Sequence, residues 1–217
     1  DYPIVNMQHH YIVTDVIEEF AQRDEEIQVI RDPRASSYLR QEQQSGLIGI
    51  YERKGMTEAW APDGLPPWES DSELFSEDLE RLMPWLQYAM ERIPVFEDVG
   101  IKRVVCGAIP HTPDGAPLLG PVAGLNNFWN CCGASFGIAQ AAGCGKYLTQ
   151  WMLYGDSEIN MTGFDSRRYG SYADKAYMNE TGFQDYKMTY ITPMPGEELP
   201  AGRSQRISPL HDKLKSK

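Results

Sequence analysis

Apolar and polar positions along the chain follow two different periods. "IVNMQHHYIVT" (residues 4–14) reads as a strand that stops where Asp15 opens a Glu-rich stretch. "SSYLRQEQQSGLIGIYE" (36–52) reads as two strands joined around Gln44-Ser45-Gly46. Neighbours on a strand alternate faces, so His9 and His10 point to opposite sides, while Tyr38 and Arg40 share one. From Arg53 to Ser76 no period holds, and Pro62, Gly64, Pro66 and Pro67 mark a loop. Residues 76–93 then switch to helical spacing through Leu79, Leu82, Leu86, Ala89 and Ile93. Ser76 is the expected N-cap, and Glu77 and Asp78 suit the first turn. Pro84 lies inside that pattern and is expected to kink the helix or divide it.

"IKRVVCGAI" (101–109) reads as a further strand, and Pro113-Asp114-Gly115 as a turn. The apolar run Asn127–Cys132 stops at Gly133, and a small-residue helix follows. In it Ile138, Ala141, Gly145, Leu148 and Met152 share one face. Gly137, Gly143 and Gly145 let a sheet or a cofactor approach closely, each at a cost of up to about 1 kcal/mol of helix propensity. A strand, glycine turn and helix in this order offers backbone N–H groups to a phosphate or an electron-rich ring. The last fifty residues, rich in Tyr, Gly and Pro, are expected to form an irregular wrapping segment. An isolated helical pair within mostly β material points to an α+β fold rather than a repeating βαβ sheet.

Composition narrows the function classes. Apolar residues make up 41% of the 217, and no apolar run reaches membrane-spanning length. A net charge of −11 argues against nucleic acid or an anionic membrane surface as partner. Cys106, Cys131, Cys132 and Cys144 form no C-x-x-C pair, which suggests free, mostly buried thiols in a reducing compartment. His9 and His10 are adjacent and His111 and His211 isolated, so no metal site is expected. Asp1-Tyr2-Pro3-Ile4 has neither an initiator Met nor a secretion signal, as in a processed or excised piece that is not secreted.

Seven stretches carry a family resemblance in a common order: "HHYIVT", "SYLRQE", "GLIGIYE", "ERIPVFEDVGIKRVVCGAIPHTPDGAPLLGP", "GKYLTQWMLYG", "RRYG" and "LPAGRSQRISPLH". Together they resemble the dimethylglycine and sarcosine dehydrogenase family, FAD-dependent demethylating enzymes of the D-amino-acid-oxidase-like superfamily. The resemblance covers essentially the whole chain. It implies the C-terminal half of a flavin module: a mixed or antiparallel substrate-domain sheet with flanking helices, plus the C-terminal part of an FAD-binding domain. Residues 1–100 would hold the substrate-binding sheet and helices. Residues 101–160 would complete the FAD-binding domain, and 161–217 would be an irregular linker toward a folate-type domain. The nucleotide-anchoring half lies N-terminal in the family, so the chain is expected to be a fragment, a nicked product or one subunit. Alone, it should not hold FAD with useful affinity.

The activity implied is oxidative N-demethylation of a small N-methyl amino acid. Electrons would pass to an electron-transfer flavoprotein or to oxygen, and the released carbon to water or tetrahydrofolate. The implied location is the bacterial cytoplasm or the mitochondrial matrix. The alternative is a non-catalytic regulatory or interaction subunit, like the pyruvate dehydrogenase phosphatase regulatory subunit, which resembles the same family.

The resemblance also assigns residues. Gly133, Ala134, Ser135, Phe136, Gly137 and Ile138 match the turn that approaches the flavin's pyrimidine edge, where N–H groups at a positive helix end stabilise the charge of the reduced ring. Gly107 and Ile109 match backbone beside the flavin. His9 and Tyr38 match catalytic residues of the substrate pocket, where imidazole and phenol can bind the substrate and assist proton movement. From the residues alone, His9 reads as a hydrogen-bonded sheet residue and Tyr38 as a core aromatic; the pocket role is what the resemblance implies. Asp114 is read as a turn residue. Tyr51, Trp60 and Trp68 are read as core aromatics rather than a wall for a methylated amine.

Overall fold

The computed structural model describes residues 2–61 and 64–216; Asp1, Asp63, Lys217 and Pro62 of the expected loop lie outside the described residues. The chain divides into two compact units, residues 6–109 with 186–195, and residues 1–5 with 110–185 and 196–217.

The first unit is built on a five-stranded sheet of order β2-β3-β4-β1-β5. Its strands are β1 (Val5–Val16), β2 (Ile30–Asp32), β3 (Ser37–Glu42), β4 (Ser45–Ile50) and β5 (Ile101–His111). The β1–β4, β2–β3 and β3–β4 pairs are antiparallel. The hairpin turns at Gln43-Gln44, with Glu42 opposite Ser45 and Gln43 at φ +57°. A positive φ at the first central residue matches the twist of a two-residue hairpin. Gly46, expected at this turn, instead lies within β4, where a Cβ would run into the Phe96 ring. That glycine serves close packing.

Helix α1 (Glu18–Ala21) and strand β2 were not legible in the sequence. Helix α2 (Leu79–Arg92) begins later than expected, because Asp78 rather than Ser76 caps it, accepting the Arg81 N–H at 3.1 Å. The helix is not divided at Pro84. Leu82, Leu86 and Ala89 bury against Ile12, Leu39, Ile48 and Ile50 of the sheet. Each buried leucine contributes roughly 1.5–3 kcal/mol, which offsets the ~3 kcal/mol that an internal proline costs. The break falls at Ile93-Pro94, where Ile93 takes φ −130° and ψ 87° before the short helix α3 (Val95–Asp98). A proline's ring disfavours helical geometry at the residue before it.

The second unit holds β6 (Leu118–Pro121) and β7 (Trp129–Cys132), paired antiparallel, with α4 (Gly137–Tyr154), most of α5 (Lys175–Met188) and α6 (His211–Lys215). Leu119, Leu148 and Met161 form a core flanked by Trp129, Cys144, Tyr147 and Trp151. The packed side of α4 is therefore the Cys144–Tyr147–Leu148–Trp151 stripe. The expected face is rotated from it: Ile138 is fully exposed and Met152 half exposed, leaving Leu148 as its buried member.

Helix α5 corrects the expectation of an irregular tail. Asp174 accepts the Tyr177 N–H at 2.9 Å, and the helix buries Tyr177, Thr181 and Gln184. Polar groups on the packed side hide its helical period from a hydrophobicity reading. The thiols also depart from expectation: Cys106 is buried, Cys131 exposed, and Cys132 and Cys144 half-buried. Among the described residues no helix is long and apolar enough to cross a membrane. Among the same residues no group of three His, Cys, Asp or Glu side chains is placed to hold a metal ion.

Candidate functional site

Register gives the five-stranded sheet two chemically different faces. His10, Ile12, Leu39, Ile48 and Ile50 share the face that α2 covers. His9, Tyr11, Tyr38 and Gly49 belong to the other. Tyr38 sits directly opposite Gly49, and a Cβ at Gly49 would overlap the Tyr38 ring. The glycine is what lets the phenol lie across its neighbouring strand.

The structure brings the two sequence-assigned pocket residues together. His9, 6% exposed, has its Nε2 3.3 Å from the Tyr38 hydroxyl and its Nδ1 3.3 Å from the Tyr186 hydroxyl. Its ring lies 4.3 Å from the Tyr51 ring, centroid to centroid, and Tyr51 in turn packs against Tyr186 at 5.1 Å and edge-on to Tyr190 at 5.3 Å. Burial pushes the Tyr38 phenol well above its ordinary pKa, with Tyr190 and Tyr11 adding to the effect. Tyr38 therefore stays a neutral hydroxyl, able both to donate and to accept.

Behind His9 stands a buried ionic group. Tyr186 donates its hydroxyl proton to Glu52 Oε2 at 2.6 Å. Glu52 Oε1 lies 3.1 Å from Arg81 Nε, an ion pair with both side chains nearly or fully buried but without hydrogen-bond alignment. Burial raises the Glu52 pKa, while the Tyr186 hydrogen bond and the Arg81 charge oppose that rise. On its other side Arg81 reaches His10 Nδ1 at 3.2 Å, and the Asp78 N–H donates to His10 Nε2 at 3.3 Å. Burial, then the Arg81 charge, lowers the His10 pKa to about 4. Both neighbours are donors, so a protonated ring would turn N–H toward N–H on each side. The two histidines thus face opposite ways, one into an aromatic cluster and one into an ion-pair network.

The glycine turn lies in the second unit. Gly133 takes φ +72°, and a Cβ there would meet Thr112 at 2.9 Å, so the fold itself requires glycine. Ser135 Oγ donates to the Pro110 carbonyl at 2.7 Å and ties the turn to the end of β5. Phe136 precedes α4 without a side-chain cap, Phe136 and Ile138 are exposed, Ala134 is half-buried, and a Cβ at Gly137 would meet nothing within 4 Å. An eighteen-residue helix with an uncapped first turn and a bare glycine suits a flat, electron-rich ring brought close to the backbone. Gly107 and Ile109 lie half-buried on β5, with Leu74 3.9 Å from where a Gly107 Cβ would sit.

Comparison with known proteins identifies the family of the chain. The FAD dependent oxidoreductase family matches residues 1–151, and the FAD dependent oxidoreductase central domain matches residues 154–208. The chain belongs to the FAD dependent oxidoreductase family. Within that family it is 38% identical to human mitochondrial dimethylglycine dehydrogenase across 100% of this chain and 25% of the relative. It is 34% identical to human mitochondrial sarcosine dehydrogenase over 98% of this chain and 22% of that one. It therefore spans about a quarter of the length of the curated relatives it matches. The solved L-proline dehydrogenase from P. horikoshii shares the fold, with a TM-score of 0.58 at 21% identity over 77% of this chain and 41% of that one.

The members of this buried network that sequence reasoning missed are Glu52, Arg81 and Tyr186. Glu52 gave one signal, an acidic residue two positions past the end of β4, directly after Tyr51. Tyr186 lies 177 residues from His9, a pairing that no local period encodes. Tyr51 is a core aromatic as read, at 3% exposure, whereas Trp68 is exposed on the surface. Asp114 accepts a two-pronged contact from Arg168 at 2.8 Å and the Ala116 N–H at 3.1 Å, the duties of a turn residue.

Proposed function

We propose that this protein is part of an FAD-dependent oxidoreductase that oxidatively N-demethylates a small N-methyl amino acid of the dimethylglycine or sarcosine type. The observation that carries the reading is His9 held between the Tyr38 and Tyr186 hydroxyls on an aromatic sheet face. Its context is a chain 38% identical to a dimethylglycine dehydrogenase. The Gly133–Ile138 turn would hold the flavin edge, and Gly107 and Ile109 are assigned to the same cofactor. FAD, when bound, supplies the acceptor for a hydride from the N-methyl carbon.

The work left to this chain's residues is to bind the amine and manage its proton. An N-methyl amino acid is an ammonium at neutral pH and can donate hydride only after losing that proton. Low-dielectric surroundings of His9, Tyr38 and Tyr51 favour the neutral amine. His9 Nε2 and Tyr38 Oη, 3.3 Å apart, are placed to pass a proton between them. The mitochondrial setting in the names of the human relatives supports the mitochondrial matrix, or its bacterial counterpart the cytoplasm, as the location. Tetrahydrofolate and an electron-transfer flavoprotein or oxygen are the partners this reading implies beyond the chain.

The test is anaerobic mixing of the full-length, flavin-loaded protein with dimethylglycine or sarcosine. Bleaching of the visible flavin band, with formaldehyde released on reoxidation, is the expected result. A flavin-loaded protein that neither amine bleaches would point to a regulatory subunit instead.

A further inference from the structure

We infer that Glu52, acting through Tyr186, sets the tautomer of His9 and is the final acceptor of the proton that the substrate amine gives up. Four side chains form a continuous buried series. Glu52 Oε2 lies 2.6 Å from Tyr186 Oη, Tyr186 Oη lies 3.3 Å from His9 Nδ1, and His9 Nε2 lies 3.3 Å from Tyr38 Oη. A phenol carries one proton. That of Tyr186 is directed to the carboxylate, the shortest contact in the series, so its oxygen meets His9 as an acceptor. His9 then carries its proton on Nδ1 and turns the Nε2 lone pair toward Tyr38. The Tyr38 hydroxyl donates to that lone pair and keeps its own oxygen lone pairs to receive a proton.

The transfer balances at every bond. The substrate N–H bond breaks and its proton goes to Tyr38 Oη, while the proton Tyr38 carried moves to His9 Nε2. The His9 Nδ1 proton moves to Tyr186, and the Tyr186 proton to Glu52 Oε2. Each intermediate group gains one proton and gives one. The ammonium charge disappears together with the carboxylate charge, and the amine lone pair is freed. Placing the substrate ammonium at Tyr38 rests on the function proposed above.

The groups around Glu52 suit that task. Arg81 and Asp78 face it from the start of α2, Tyr186 from α5 and Cys106 from β5, and His10 of β1 lies on the far side of Arg81. The Tyr186 hydrogen bond and the Arg81 charge favour the ionised carboxyl. Burial raises its proton affinity and excludes water that would otherwise carry the proton away.

The test follows flavin bleaching by dimethylglycine against pH in the full-length holoenzyme, for wild type, Tyr186→Phe, Glu52→Gln and Glu52→Asp. Tyr186→Phe interrupts the series but leaves the Glu52–Arg81 pair in place, so it carries the test if Glu52→Gln does not fold. With FAD content unchanged, Tyr186→Phe and Glu52→Gln should be slowed about 100-fold below the amine's pKa. They should approach wild type at high pH, where the amine is already neutral, and Glu52→Asp should recover part of the loss. A merely structural role would slow reduction equally at all pH, and parallel profiles overturn the relay. Neutron diffraction of the deuterated holoenzyme gives a readout independent of substrate. A deuteron on His9 Nδ1 supports the tautomer assignment, and one on Nε2 overturns it. If no N-methyl amino acid bleaches the wild type, the substrate reading and the relay fall together, while the neutron map still decides the tautomer.

Discussion

The His9 cluster and the Gly133–Ile138 turn are built in opposite ways. In the cluster the polar groups meet partners inside the chain: His9 two tyrosines, Tyr186 the Glu52 carboxylate, and Glu52 the Arg81 charge. In the turn the head of α4 carries little side chain over it, with Phe136 and Ile138 exposed and open space beside Gly137. A pocket that must hold a proton at a stated atom needs preset partners, because an unmatched buried polar group is costly. A turn that receives a ring needs the reverse, small residues and free N–H groups. Rigidity in one region and few side chains in the other are what the two proposed roles would require.

The largest effect that separates the two regions is expected from His10, which braces the cluster from behind. Its pKa of about 4 lies below the ordinary 6.5, so between these values the folded ring binds fewer protons than the unfolded one. Its stabilisation is full above about pH 6.5 and is lost as pH falls toward 4. At 1.36 kcal/mol per unit this amounts to roughly 3 kcal/mol. Melting curves at pH 7 and pH 4 should show wild type losing that much more than His10→Gln. Equal losses would remove His10 from the account. Glu52, whose pKa is raised, works with the opposite sign in both proteins and cancels in the difference.

Next comes Gly49→Ala. A methyl there must push the Tyr38 ring off its strand and away from His9. A displacement of about 1 Å in a reacting group costs up to ~100-fold in rate. The expected signature is non-additivity: Gly49→Ala should add little in a Tyr38→Ala background. Full additivity would mean that the glycine acts on something other than Tyr38.

Smallest are the two glycines of the turn, which should respond with opposite signs. Gly137→Ala meets no neighbour, so it should stabilise the fold by up to about 1 kcal/mol while weakening FAD binding. Gly133→Ala is strained at φ +72° and crowds Thr112, so it should destabilise the fold. Melting temperature and bound-flavin content, measured together, check both. A Gly137→Ala protein with unchanged flavin affinity would leave that turn a purely structural feature.

Much of this was legible in the chain. Short β-branched and aromatic runs bounded by polar or turn residues announced β1, β3 and β4, and with them the opposite orientations of His9 and His10. Helical spacing announced α2. Legibility failed where a residue does a task outside its usual one. Gly46 looks like a turn signal but makes room for Phe96, as Gly49 within the same strand does for Tyr38. Pro84 looks like a breaker but is overridden by the leucines on either side, while Pro94 does the breaking. The α4 stripe was misplaced because alanine, glycine and cysteine give little contrast between packed and open sides. Glu52, Arg81 and Tyr186 were missed because their meeting depends on tertiary structure, and the family resemblance supplied the chemistry that His9 and Tyr38 alone did not.

The most direct test of the central claim, that the His9 face is where substrate is handled, compares the adjacent histidines by single turnover. In the full-length, FAD-loaded protein, His9→Ala should slow flavin reduction by dimethylglycine about 100-fold, the low end for a proton-handling group. FAD should remain bound in that variant, and His10→Ala should reduce flavin at close to the wild-type rate while melting earlier. If His10→Ala is the slower of the two, substrate is handled on the α2 side of the sheet and the account is wrong.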